Sequence, residues 1–178
     1  GLSRSSHDLI STQSLMQQLA QCDGIILDLR DSYGFLDAEH LQAFLNSYSS
    51  IDITGASGWL TSINDTTSKI ASNPYHRPIA ILINERTRGG PEILAYETSK
   101  LERIVSLGSA TPGLIGSYEQ AGDSEAFEYR PADSTRIDGQ RFEGIGLQPE
   151  TLLDWPLSET RRDDPQFEAA VTMLLGII

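Results

Sequence analysis

The 178-residue sequence predicts a single α/β domain built on a parallel sheet, and three observations point there. Short, nearly continuous apolar runs recur at Gly24–Arg30 (GIILDLR), Pro78–Asn84 (PIAILIN) and Arg103–Leu107 (RIVSL). Runs of that length, rich in Ile and Leu, fit strands covered on both faces, as in parallel sheets. Segments with helical spacing of apolar residues lie between them, the alternation that βαβ units require. The C-terminal third changes character and carries short strand-like pieces with a hairpin signal.

Taken in order, Gly1–Asp8 is polar and reads as the remnant of a strand or linker. Ser11 can cap a helix through Cys22, with Leu15, Met16, Leu19 and Cys22 as its apolar stripe, and Asp23-Gly24 ends it. After the first strand, Asp31–Gly34 is a turn, and Asp37 is expected to cap a second helix burying Leu41, Phe44 and Leu45. Ser49–Ser72 is polar around a lone Trp59 and reads as a long loop with a strand fragment, a place for a binding surface. Asn64-Asp65-Thr66 matches a glycosylation acceptor, a pattern short enough to arise by chance. Beyond the second strand, Gly90 or Thr87 caps the next helix, with Pro91 in its first turn and Glu92 complementing its dipole.

Leu114–Tyr118 and Ala126–Arg130 are expected to be short strands, and Asp138-Gly139 to turn a hairpin between Thr135–Ile137 and Gln140–Phe142. Glu143–Glu150 (EGIGLQPE) is a Gly-rich turn into another short strand. Trp155–Asp164, with its run RRDD, reads as a solvated link. Asp164-Pro165 then opens a last helix with Phe167, Ala170, Val171, Leu174 and Leu175 on its buried face.

Composition narrows the function classes. Apolar residues at 39% support a real core, and the net charge of −12 repels phosphate backbones, which argues against nucleic acid as a partner. Cys22 is the sole cysteine, so an internal disulfide is excluded. No apolar run approaches the roughly 20 residues of a membrane span. No His/Cys/Asp cluster has metal-ligand spacing, and the glycines of Gly108–Gly116 lack the GK[ST] of a phosphate loop, so no cofactor is expected. The start at Gly1-Leu2, without methionine, reads as a fragment whose upstream region is missing.

The stretch Ile79–Leu114 is a strand–turn–helix–strand unit whose turn at Thr87–Pro91 aims a short loop at a helix start, where many enzymes hold a nucleophile. Four pieces in register carry a resemblance. GIILDLRDSYG resembles "ILDLR-x-N-x-GG", and ILINERTRGGPEILA resembles "VLVN-x-x-T-x-S-x-x-E-I-x-A". GSATPG is similar to "G-x-x-T-x-G-K", and EGIGLQPE to "EG-x-GI-x-PD". DDPQFEAAVTMLL resembles the closing helix. Together they resemble the tail-specific, or carboxyl-terminal processing, serine peptidases over nearly the whole chain. The resemblance implies a Clp-protease/crotonase-like core with flanking helices and short C-terminal strands, a polypeptide substrate or protein partner, and an extracytoplasmic location.

It also implies where catalytic groups would stand. Glu92 fixes the register, placing the nucleophile position at Gly89 and the general-base lysine, 25 residues on, at Leu114. Some relatives carry a lysine two residues after the nucleophile instead, and that position is Pro91. Of the chain's two lysines, Lys100 lies eleven residues along the helix from Gly89, about 16 Å away, and Lys69 falls in the polar loop. Thr87 and Ser109 read as turn residues, and His40 as a surface histidine on the Asp37 helix. A Ser-His-Glu set, with Glu143 as its carboxylate, would still need the missing serine.

The scaffold survives. The resemblance makes Gly34 and the amide of Gly90 oxyanion or peptide-binding donors, and Asp28 and Arg30 a supporting charge pair that reads, by itself, as a strand-end ion pair. Phe35 stands where the family turn has its second glycine. Three readings follow: a peptidase-like domain without catalysis, an active peptidase whose serine was exchanged by engineering for Gly89, or a hydrophobic-ligand carrier with a groove near Trp59 and Tyr75.

Overall fold

The computed structural model describes residues 18–34, 36–37, 40–41, 43–44, 47–48, 53–54, 60–61, 69–70, 74–115, 118–120, 127–129, 135–155 and 163–177. Four strands form the central sheet: β1 (Ile25–Asp28), β2 (Ile79–Ile83), β3 (Ile104–Gly108) and β4 (Thr151–Leu152). They lie side by side in that order, and every neighbouring pair is parallel.

The centre of the sheet explains the apolar run. All five residues of β2 are buried, and alternation sends Ile79, Ile81 and Ile83 to one core and Ala80 and Leu82 to another. Ile93, Leu94 and Ala95 of helix α1 (Gly90–Ser99) join the first core. Ala170 and Leu174 of helix α2 (Pro165–Ile177) join the second. A strand with a core on each face has no polar positions to spare, so β2 reads as a solid apolar block. By contrast β1, expected to be covered on both faces, is the sheet edge, and Ile25, Ile26 and Leu27 stay half-buried.

Shorter pairings decorate this core. Tyr33–Gly34 pairs parallel with Arg88–Gly89, and Leu36–Asp37 with Leu60–Thr61. Arg136–Ile137 and Gln140–Arg141 form the expected hairpin, with positive φ at both Asp138 and Gly139. Tyr118–Gln120 pairs antiparallel with Phe127–Tyr129.

Several expectations need correction. Asp37 is a strand residue rather than a helix cap, because the chain pairs with Leu60–Thr61 before turning helical at His40 and Leu41. His40 is buried rather than on the surface. Cys22 is exposed, off any buried stripe. Leu114 and Ile115 are not in a strand, which begins only at Tyr118. Gly89, not Gly90 or Thr87, caps α1. On α2, Ala170 and Leu174 are buried as expected, but Phe167 and Leu175 are 42% and 72% exposed and Gln166 is buried, so the covered face is rotated toward Gln166. The expected helix start at Ser11, Leu45, Phe35, Trp59, most of 49–72 and the RRDD arginines lie outside the described residues.

Candidate functional site

The site is assembled at the carboxyl ends of the parallel strands, where α/β sheets present their loops. Three of those loops meet. Beyond β2, Thr87 is fully buried and ties the turn: its hydroxyl donates to the Leu29 carbonyl at 2.9 Å and accepts from the Asn84 amide at 3.0 Å. The Asn84 side chain in turn accepts from the backbone amide of Asp31 at 3.0 Å, joining the loops that follow β2 and β1. The Arg88 amide donates to the Ser32 carbonyl at 3.0 Å, and the parallel bridge that follows sets Gly34 beside Gly89.

Gly89 then makes a sharp strand-to-helix elbow, with φ 70° and ψ −130° as the cap of α1. Side-chain-bearing residues enter that region only with strain, and strained elbows of this kind are where nucleophiles are displayed. Here the residue has no side chain. Its amide donates to the Leu114 carbonyl at 3.2 Å, so positions 89 and 114 are neighbours in space.

Glu92 holds that neighbour in place. Its carboxylate is fully buried and accepts the Gly113 amide at 2.6 Å and the Leu114 amide at 3.0 Å, and the Thr111 hydroxyl also hydrogen-bonds it. Burial is the largest influence on this carboxyl and lifts it from 4.5 to about 7 against the pull of those donors, with Glu143 adding repulsion. Thr111 is pinned from the far side, accepting the Leu147 amide at 2.7 Å and donating its own amide to the Leu147 carbonyl at 3.0 Å. Gly113 has φ 69°, and a Cβ there would stand 2.6 Å from the Gly146 nitrogen. Only glycine lets the two loops approach so closely.

The other anticipated residues fall in two places. Gly90 opens α1 beside the elbow, and Glu143 is buried in the turn behind Gly113, whose carbonyl accepts the Gly144 amide at 3.1 Å. Asp28 and Arg30 form a two-pronged pair, at 2.6 and 2.9 Å, in a separate cluster. Arg30 also grips Asp164 at 2.7 and 3.0 Å and Gln166 at 3.1 Å, and its guanidinium lies 5.0 Å from the Trp155 ring centre. Asp164 is thus an anchor rather than part of a solvated link. Its side chain also caps α2 through the Phe167 amide at 2.9 Å.

Two of the groups weighed as replacements are engaged elsewhere. The Ser109 hydroxyl donates to Glu85 at 3.2 Å, and Lys100 pairs with Glu97 and Asp138 at 2.7 and 2.9 Å, beyond the far end of α1. Tyr75, named as a groove residue, is buried with its hydroxyl donating to the Cys22 carbonyl at 3.0 Å. Among the described residues a shallow apolar groove of about 360 Å³ lies between β1 and α2, lined by Ile26, Phe167, Val171 and Leu175 among others. Among the described residues no group of acids, histidines and cysteines could hold a metal, and no helix is long and apolar enough to cross a membrane. Sequence reasoning passed over Tyr33 and Arg88, exposed directly beside the elbow, because their adjacency depends on the bridge between two loops.

Comparison with known proteins agrees with this geometry. The profile of peptidase family S41 matches residues 4–153. A carboxyl-terminal-processing protease of Synechocystis sp. is 29% identical over 171 residues, covering 86% of this chain and 37% of that protein. The photosystem II D1 C-terminal processing protease superposes with a TM-score of 0.61 at 20% identity, covering 84% of this chain and 40% of its own. A putative peptidase from Parabacteroides merdae superposes with a TM-score of 0.69 at 17% identity, covering 92% of this chain and 56% of its own. The chain therefore spans only part of the length of the proteins it matches. With the family profile spanning most of the sequence and a carboxyl-terminal-processing protease among its relatives, the chain belongs to peptidase family S41, as a domain of its tail-specific, carboxyl-terminal-processing type.

Proposed function

We propose that this domain binds polypeptide chains or their C-termini and does not cut them. The observation that supports this reading is the contact between Gly89 and Leu114, whose backbones are hydrogen-bonded at 3.2 Å. A serine nucleophile needs an unprotonated base within reach, and these two positions offer neither a hydroxyl nor an amine. The elbow conformation of Gly89, the start of α1 and Gly34 alongside add support. A scaffold of that kind can still hold a backbone against its loops after the chemistry is lost.

Incubation with an unfolded polypeptide should leave it intact, while fluorescence polarisation should detect binding. Reproducible cleavage with turnover, or no binding at all, would overturn the reading. Gly89→Ser alone should remain inactive because Leu114 supplies no base. At φ 70° the new serine is strained by about 1–3 kcal/mol, so its fold should be checked by circular dichroism. Activity in that single variant would instead favour a peptidase that lacks only its hydroxyl.

A further inference from the structure

Beside the elbow stands a cation with no anion among the described residues. Arg88 is exposed, and its guanidinium lies 5.4 Å from the ring centre of Tyr33, itself 60% exposed. Each other arginine among the described residues has an acceptor or an acid: Arg30 holds Asp28 and Asp164, Arg77 Asp23 and Arg86 Asp31. Arg103 donates to the Phe44 carbonyl, Arg136 to the Gly139 carbonyl and Arg141 to the Glu143 carbonyl. Among the described residues only the Arg88 guanidinium has neither. In a chain of net charge −12, an arginine beside the site with no acid among the described residues is an exception.

We infer that Arg88 and Tyr33 form a carboxylate-binding subsite for the polypeptide held at the elbow. The inference deepens the binding reading above and rests on it. The bridge that pairs Tyr33 with Arg88 also pairs Gly34 with Gly89, so the subsite is one residue from the elbow. The backbone there is fixed by the Arg88 amide on the Ser32 carbonyl. The aromatic ring meets the guanidinium through its π system and leaves N–H donors free, in a planar fork that suits a carboxylate's two oxygens. A carboxylate can come from a chain's C-terminus or from an aspartate or glutamate side chain, and the chemistry of recognition is the same.

The test uses an N-terminally fluorescein-labelled Leu/Ala peptide in three forms: free C-terminal acid, C-terminal amide, and amide with one internal glutamate. Polarisation titrations with the unaltered domain should show the free acid or the glutamate form binding about tenfold tighter than the plain amide, an advantage that shrinks with added salt. Which carboxylate form gains identifies the source. Arg88→Ala should abolish the advantage, and Arg88→Lys, which keeps the charge without the fork, should retain only part of it. Equal affinity for all three forms overturns the subsite and leaves the binding reading standing. No binding of any form overturns both. Cleavage overturns the non-cutting reading alone, because the acid-to-amide preference can then be read from KM.

Discussion

Glu92 and Asp164 are both carboxylates at the start of a helix, yet the chain surrounds them with opposite chemistry. Glu92 is fully buried and meets the Gly113 and Leu114 amides and the Thr111 hydroxyl, all of them neutral. Burial dominates, and its carboxyl rises to about 7. For Asp164 burial also pushes upward, but the Arg30 hydrogen bonds and charge, with the α2 amides, outweigh it and hold the carboxyl below the usual aspartate range. The elbow is therefore braced by a carboxylate poised to change charge near neutrality. The first strand is tied to α2 by charges that stay on. One brace sets the shape of the site, and the other holds the sheet's edge to its helix.

Removing the elbow brace should have the largest effect. Glu92→Ala leaves the Gly113 and Leu114 amides without their acceptor in a buried loop, a cost of about 2–4 kcal/mol in urea unfolding at pH 5. A loss below about 1 kcal/mol would mean that the loop is held by its glycine packing and Thr111 instead. The loss should also weaken peptide binding, because Leu114 lies against the elbow.

Titration sharpens the contrast. A carboxyl raised from 4.5 to about 7 keeps its proton in the folded chain after the unfolded chain has released it. Glu92's contribution to stability is thus fully present below pH 4.5, falls as pH rises, and levels off above about 7. At about 1.4 kcal/mol per unit, the decline is on the order of 3 kcal/mol at most. Glu92→Gln should flatten that limb, and an unchanged slope would assign it to another group.

How much of this was legible in the sequence follows from the range of the interactions. The centre of the sheet and α1 were legible because β2 is apolar without interruption and Pro91 follows a glycine pair. The proximity of Gly89 and Leu114 was legible only through the family resemblance. Asp37 misled because an acid ahead of an apolar pattern looks like a cap, whereas a distant two-residue pairing claimed it first. Glu92 carried the signal of a dipole partner, and nothing local says that its carboxylate turns to a loop 21 residues away. Arg30 and Asp164 are 134 residues apart and meet only because the last helix returns across the second face of the sheet. Tyr33 and Arg88 were missed for the same reason at shorter range.

Arg30→Ala tests the ionic brace and should cost less than the loss of Glu92, although it breaks more hydrogen bonds. The Asp28 and Asp164 side chains are 46% and 28% exposed, so water solvates both once the guanidinium is gone, and solvent screens the pair while it lasts. About 1–2 kcal/mol is expected, reduced by salt, where the Glu92 effect should barely respond. The pH limb runs the other way. A depressed carboxyl contributes above its unfolded value of 3.8 and loses that contribution as the folded group takes up its proton in acid. Asp164→Asn should therefore soften acid unfolding without altering the decline toward pH 7, and a double-mutant cycle with Arg30→Ala should return a coupling of about 1 kcal/mol. If Arg30→Ala instead matched Glu92→Ala in cost and shrugged off salt, Arg30 would be acting as a buried packing element under Trp155, and the two braces would differ in geometry rather than in charge.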